Sequence, residues 1–196
     1  MRSLGLTGSE RVLDLCTGTG DLAIALRTAR RGAARVVGVD FAAAMLAVGR
    51  DKLRRRGLAD RIQVVRADAT RVPLPDGSMD AVTVAFGIRN VDDTAAACRE
   101  MVRVLAPGGR LAILEFAVPS SRPVRRMYMW YFRHVLPRLG RLISRHEMAY
   151  DYLPASVGAF ASPADFAAVL QHAGFVDVSA RPLTFGSVVL YNARKP

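Results

Sequence analysis

The stretch "RVLDLCTGTGDLAIAL" at 11–26 is a short apolar run that halts at two glycines and an acid before apolar residues resume at helical spacing. The pattern reads as a strand entering a glycine turn that opens a helix. Four more β-rich runs follow: "RVVGV" (35–39), "IQVVRA" (62–67), "DAVTVAF" (80–86) and "RLAILEF" (110–116). Helical patterns separate them, so the expected architecture is a doubly wound α/β domain around a parallel sheet.

The first helix is expected to present Leu22, Ala25, Leu26 and Ala29, and the second Met45, Leu46, Val48, Gly49 and Leu53. A third runs from about Asp92, as N-cap, to Leu105, where "PGG" (107–109) turns the chain into the fifth strand. Residues 117–160 break the rhythm; they are aromatic, basic and punctuated by prolines, and read as an insertion. Order returns with "SPADFAAVLQHAG", where Ser162 is the N-cap, Pro163 the first helical residue and Gly174 the stop. "FVDVSA" and "GSVVLYNA" then form a hairpin at one sheet edge. The 196 residues suit one domain, 1–196.

Ligands of open α/β sheets lie at the carboxyl ends of the strands. Gly18, Gly20 and Ala23 satisfy the dinucleotide pattern G-x-G-x-x-A, with Asp40 at the distance of a ribose-binding acid, which keeps a nicotinamide or flavin enzyme in view. Asp21 argues against a pyrophosphate at that helix N-terminus, because the two negative charges would repel. S-adenosylmethionine has no phosphate and carries a sulfonium cation, so an acidic loop favours it. A P-loop lacks its Gly-Lys-Ser/Thr ending. Asp40 can accept from both ribose hydroxyls, or cap the next helix. Asp68 can accept from an adenine amino group beside the backbone N–H of Ala69, and Ala85 offers only backbone and a small surface at the end of strand four.

Glycine loop, Asp40 and Asp68 together resemble a class I S-adenosylmethionine-dependent methyltransferase. "FGIRNV" (86–91), "RVLAPGGRLAILEF" (103–116), "YDYLPAS" (150–156) and "AGFVDVSARPLTFG" (173–186) narrow the likeness to the ubiquinone/menaquinone biosynthesis C-methyltransferase family. The resemblance implies a mostly parallel seven-stranded Rossmann-like sheet with an antiparallel edge strand and a helical insertion after strand five. It implies methyl transfer to a ring carbon of a prenylated quinol, demethylmenaquinol or its benzoquinol counterpart. Cofactor contacts carried over fall on Thr19, Asp40, Asp68, Ala69 and Ala85, beside Gly18 and Gly20 of the loop. Three departures stand out. Only ten residues precede Arg11 where the family has a longer segment with a Tyr-Asp lid, which implies a truncated start or an absent lid; Ala85 replaces a frequent Ser; and "AFASPADF" replaces a Phe-Pro sequence.

Carbon is a poor nucleophile, so a quinol hydroxyl of pKa around 10 must lose its proton for the ring to attack. Arg89 can stabilise the developing quinolate, or tie its loop to a carboxylate such as Asp92. Asn90, His146 and Tyr150 are candidates for the substrate wall. The composition, 28 basic against 17 acidic residues and a net charge of +11, is nearly all arginine, so its clustering matters more than its sum. From Phe116 to His146 there is no acid, while Arg122, Arg125, Arg126, Arg133, Arg138, Arg141 and Arg145 are present. A helical 122–145 would set Tyr128, Phe132, Val135, Leu139 and Leu142 on one face and Arg126, Arg133, Arg141 and Arg145 on the other, as a lid or as peripheral contact with an anionic membrane. Cys16 and Cys98 show neither metal spacing nor a disulfide pattern, and no metal is expected. No signal peptide or spanning stretch is seen, so the expected location is the cytoplasm, in part at the inner face of the plasma membrane. A homodimer is compatible with these features. Two rival functions remain: a methyltransferase acting on another small molecule or on RNA, which the scattered aromatics disfavour, and a cofactor-binding partner without activity.

Overall fold

The computed structural model describes residues 4–119, 121–130 and 156–196. Seven strands form one sheet: β1 (Arg11–Leu15), β2 (Arg35–Asp40), β3 (Ile62–Arg66), β4 (Met79–Ala85), β5 (Leu105–Phe116), β6 (Val176–Leu183) and β7 (Val188–Arg194). Their spatial order is β3-β2-β1-β4-β5-β7-β6. β1 to β5 are parallel, and β7 runs antiparallel to both β5 and β6. The expected edge hairpin is present, with its reversed strand one place in from the edge. β5 starts five residues before "RLAILEF": Met79 pairs with Leu105 and Ala81 with Arg110, so the "PGG" bulges out of the ladder at Gly108, φ +73°.

The described helices are α1 (Asp21–Thr28), α2 (Ala43–Arg55), α3 (Thr94–Val104), α4 (Arg122–Trp130) and α5 (Pro163–His172). α1 buries Ala23, Ile24 and Leu26, not the expected stripe through Ala25 and Ala29. Small apolar residues occupy so many of its positions that spacing could not choose the face. α2 buries Leu46, Gly49 and Leu53, leaving Met45 and Val48 about half exposed. The cap of α3 is Asp93, one residue later than expected, and its carboxylate accepts from the Ala96 N–H at 2.8 Å. α5 has its expected Ser162 cap and Pro163 start, and Gly174 follows at φ +108°.

Strand alternation sorts the core into two layers. Val12, Val36, Ala81 and Ala112 join Ile24, Leu26 and Leu53 of α1 and α2. Leu13, Leu15, Val39, Val82 and Ile113 join Met101 of α3 and Phe166 and Leu170 of α5. Burial of each such large side chain contributes about 1.5–3 kcal/mol.

Glu10 anchors the approach to β1. Its carboxylate accepts from the Thr7 and Gly8 N–H groups at 2.8–3.0 Å and from Arg110 at 3.2 Å. Burial works to raise its pKa, but the hydrogen bonds from Thr7 and Gly8 outweigh it and bring it down to about 2. A depressed carboxylate contributes stability above its unfolded value of about 4.5, lost as pH falls toward 2. Glu10→Gln is expected to cost about 1–3 kcal/mol at pH 7. Denaturant melts at pH 7 and pH 3 check this: the gap from wild type must narrow at the lower pH.

Candidate functional site

β1 and β4 are neighbours from which the chain winds in opposite directions, so the sheet's ligand crevice lies beyond their carboxyl ends. The first residue past each strand, Cys16 (φ 57°) and Phe86 (φ 58°), is left-handed, a conformation that costs non-glycine residues energy and clusters at functional sites. Gly87 lets these turns pass each other, since a Cβ there would come within 2.3 Å of the Cys16 Cβ. Gly18 (φ 56°) and Gly20 (φ 78°) are needed for backbone conformation alone; no atom lies within 4 Å of where their Cβ would be.

Above these strand ends is a cavity of about 760 Å³. Gly18, Asp40, Asp68, Ala69, Ala85 and Asn90 all line it. Asp40 accepts from the Gly18 N–H at 2.7 Å and the Ala42 N–H at 2.8 Å, so it joins the glycine loop to the start of α2. Ala42 is itself the cap position, so Asp40 closes the turn before the helix and is not its N-cap. Each oxygen keeps a lone pair for a ribose hydroxyl. One oxygen of Asp68 accepts from the Thr70 N–H and hydroxyl, both at 2.8 Å, and these bonds hold its pKa below the usual range. Its other oxygen accepts none of these bonds.

Thr19, Gly20 and Asp21 are placed differently from expectation. None of them lines the cavity. Lys52 reaches across from α2 to bond Asp21 at 2.8 Å and Thr19 at 3.1 Å, and lowers the pKa of Asp21. A paired, outward carboxylate does not bar phosphate from the site. What does is the cavity wall: Asp40, Asp68, Asp92 and Asp93 line it, and among the described residues no Lys or Arg does. Four carboxylates without a counter-cation oppose a pyrophosphate and suit a sulfonium. Asp21→Asn is therefore expected to change S-adenosylmethionine affinity by no more than about threefold, the scale of an exposed ion pair. A calorimetric titration showing a tenfold change would restore Asp21 to the site.

Arg89 begins a second, adjoining cavity of about 560 Å³, which shares Val91 and Asp92 with the first. Phe160, Phe166, Val169 and Ala159 make it largely apolar, with Arg89, Asp92, Thr94 and Ser156 as polar points. Arg89 sits in the 3₁₀ turn Ile88–Asn90, 8% exposed, and pairs at 2.7 Å with Glu115, which is fully buried at the end of β5. It also donates to the Phe86 carbonyl and to Ser156, and lies 5.3 Å from the Phe116 ring centre. The carboxylate that ties its loop is thus Glu115, not Asp92. Nη2 of Arg89 has no partner among the described residues. His146 and Tyr150 lie outside the described residues, as does the basic segment beyond Trp130.

Two residues escaped the sequence reading. Glu115 and Asp14 are acids inside otherwise apolar strands, a signal that was available in "RLAILEF" and "RVLDL". Asp14 accepts from Thr17 at 2.6 Å and Thr83 at 2.8 Å beneath the glycine loop, and burial raises its pKa to about 6. Tyr128 of α4 is half-buried, which raises its pKa against the opposing effect of Arg89. Cys16 lines the cavity, but burial, with Asp40, Asp14 and Glu115 nearby, pushes its thiol to about 12, so it stays protonated and is no nucleophile. No cluster of metal-ligating side chains occurs among the described residues.

A family model described as the ubiE/COQ5 methyltransferase family matches residues 1–195. The chain belongs to this family. It is 49% identical over 187 residues to a demethylmenaquinone methyltransferase of Thermus thermophilus, covering 95% of this chain and 83% of that one. It is 46% identical over 185 residues to the ubiquinone/menaquinone biosynthesis C-methyltransferase UbiE of Geobacter sulfurreducens, covering 94% and 72%. A putative methyltransferase from Bacillus halodurans, 22% identical, superposes with a TM-score of 0.72 over 100% of this chain and 96% of the other, and supports the fold. The ubiE/COQ5 chain described here is accordingly an S-adenosylmethionine-dependent methyltransferase.

Proposed function

We propose that this chain, working as one domain, methylates a ring carbon of a prenylated quinol, demethylmenaquinol to menaquinol or the corresponding benzoquinol step. The observation that carries the reading is the pair of adjoining cavities. One is acidic and free of Lys and Arg among the described residues; the other is largely apolar, with Arg89 as the one guanidinium among the described residues that line it and Asp92 shared with the first. Relatives named for this reaction on menaquinone and ubiquinone precursors support the substrate class.

S-adenosylmethionine, when bound, supplies an electrophilic methyl group on a positively charged sulfur. Asp40 and Asp68 are the carboxylates that would hold its ribose and adenine, with the Ala69 N–H and the small Ala85 beside them. The ring would lie against Phe160 and Phe166, with the hydroxyl toward Arg89. A guanidinium is a cation with donors and no acceptor, so Arg89 stabilises a quinolate and does not take the proton. Holding ring and methyl in line supplies much of the remaining acceleration. Asn90 borders the first cavity and helps bound the space between cofactor and ring.

Peripheral contact of the basic 122–145 segment with an anionic membrane belongs to the same proposal, because a prenylated substrate resides in lipid. Among the described residues no helix is long and apolar enough to cross a membrane. Thermal melts are expected to shift upward with S-adenosylmethionine or its demethylated product and not with NAD. Mass spectrometry of pure protein with demethylmenaquinol is expected to show one added methyl; a shift with NAD alone, or no product, overturns the reading.

A further inference from the structure

The β6–β7 hairpin closes through a 3₁₀ turn, Thr184–Gly186, in which three successive residues are left-handed: Thr184 (φ 47°), Phe185 (φ 57°) and Gly186 (φ 86°). Two non-glycine residues in a row at positive φ is a costly arrangement. The Thr184 carbonyl accepts the N–H and hydroxyl of Ser187, which hold the turn. The result is a phenylalanine that is 84% exposed, the most exposed large hydrophobic side chain among the described residues.

The tip stands at the same end of the sheet as the cavities, since Val188 pairs with Phe116 at the carboxyl end of β5. The Ala117 N–H donates to the Ser187 carbonyl, and a Cβ on Gly186 would lie 3.6 Å from Pro119. Pro119 in turn accepts from Arg125 of α4 at 3.2 Å. The tip and the first turn of α4 therefore share one support. α4 exposes Met127 (63%) and Trp130 (59%), and Arg122, Arg125 and Arg126 are exposed beside them. No Asp or Glu occurs in 116–130 or in 178–196. The hairpin's one acid, Asp177, pairs with Arg194 at the far end.

From this geometry we infer that the β6–β7 tip and α4 form one docking surface for an anionic lipid bilayer, with Phe185 as its apolar wedge. Apolar side chains among arginines, on segments that carry no Asp or Glu, are what an anionic interface recognises. The surface points the cavity end of the sheet at the membrane. The inference rests on the quinol reading only for why lipid should be the partner.

The test uses the full chain and vesicles of phosphatidylcholine with and without phosphatidylglycerol. Phe185→Asn removes the wedge with a residue that accepts a left-handed backbone, so the turn is kept. Wild type is expected to sediment with phosphatidylglycerol vesicles and to release as salt rises, and Phe185→Asn to bind roughly tenfold more weakly. S-adenosylmethionine binding and turnover of a water-soluble short-chain demethylnaphthoquinol are expected to be unchanged in the variant. Equal vesicle binding by both proteins overturns the surface, as does a wild type that ignores vesicles and binds RNA. Phe185-dependent vesicle binding without quinol methylation would retain the surface and reject the substrate, so the two failures are distinguishable.

Discussion

Arg89→Met is expected to lower folding stability by about 3–5 kcal/mol at neutral pH and, separately, to lower kcat by about 10²–10³-fold. The first effect follows from Glu115, which is fully buried and has Arg89 as its counter-cation at 2.7 Å. Removing the guanidinium leaves a carboxylate with neither water nor a cation. The second effect follows from losing the positive charge that faces a developing quinolate. Arg89→Met with Glu115→Gln separates the two, because the double variant removes both charges. It is expected to recover most of the stability and none of the rate. Urea melts, with single-turnover assays, measure both; recovery of activity in the double variant would make Arg89 a purely structural residue.

Asp40→Ala is expected to raise the Kd for S-adenosylmethionine by about 10²–10³-fold, the scale of losing hydrogen bonds from two hydroxyls to one carboxylate. The same change frees the Gly18 and Ala42 N–H groups, so the glycine loop loses its tie to α2. Asp68→Ala should cost less, because Asp68 is solvent-exposed and its carboxylate, among the described residues, accepts only from Thr70. Calorimetry on the three proteins gives the order. A Kd for Asp40→Ala within tenfold of wild type would remove Asp40 from the ribose contact.

Much of this molecule could be read from local pattern. Strand limits at β1 and β2 agree with the apolar runs to within a residue, and the Ser162–Pro163 start of α5 follows from capping chemistry that acts within one turn. That Asp40 and Asp68 line the cavity is legible because their positions, at the end of β2 and two residues past β3, depend only on where strands stop. Helix faces fared worse. In α1 and α2 apolar residues occupy more than one stripe, and the packing partner chose between them.

The order of strands and helices, the glycine turn and the acids at the ends of strands two and three belong to the sequence by itself, because each depends on residues within a few positions of one another. Tertiary structure alone decided what the charges mean. Asp21 looked like the guard against phosphate, yet Lys52, 31 positions away, pairs with it outside the cavity, and the acidic wall is assembled from three separate loops. Arg89 looked like a lone cation near the ring, yet Glu115, 26 positions on, holds it in place. The physical reason is that a charge acts through its nearest opposite charge and its access to water, and both are set by parts of the chain distant in sequence.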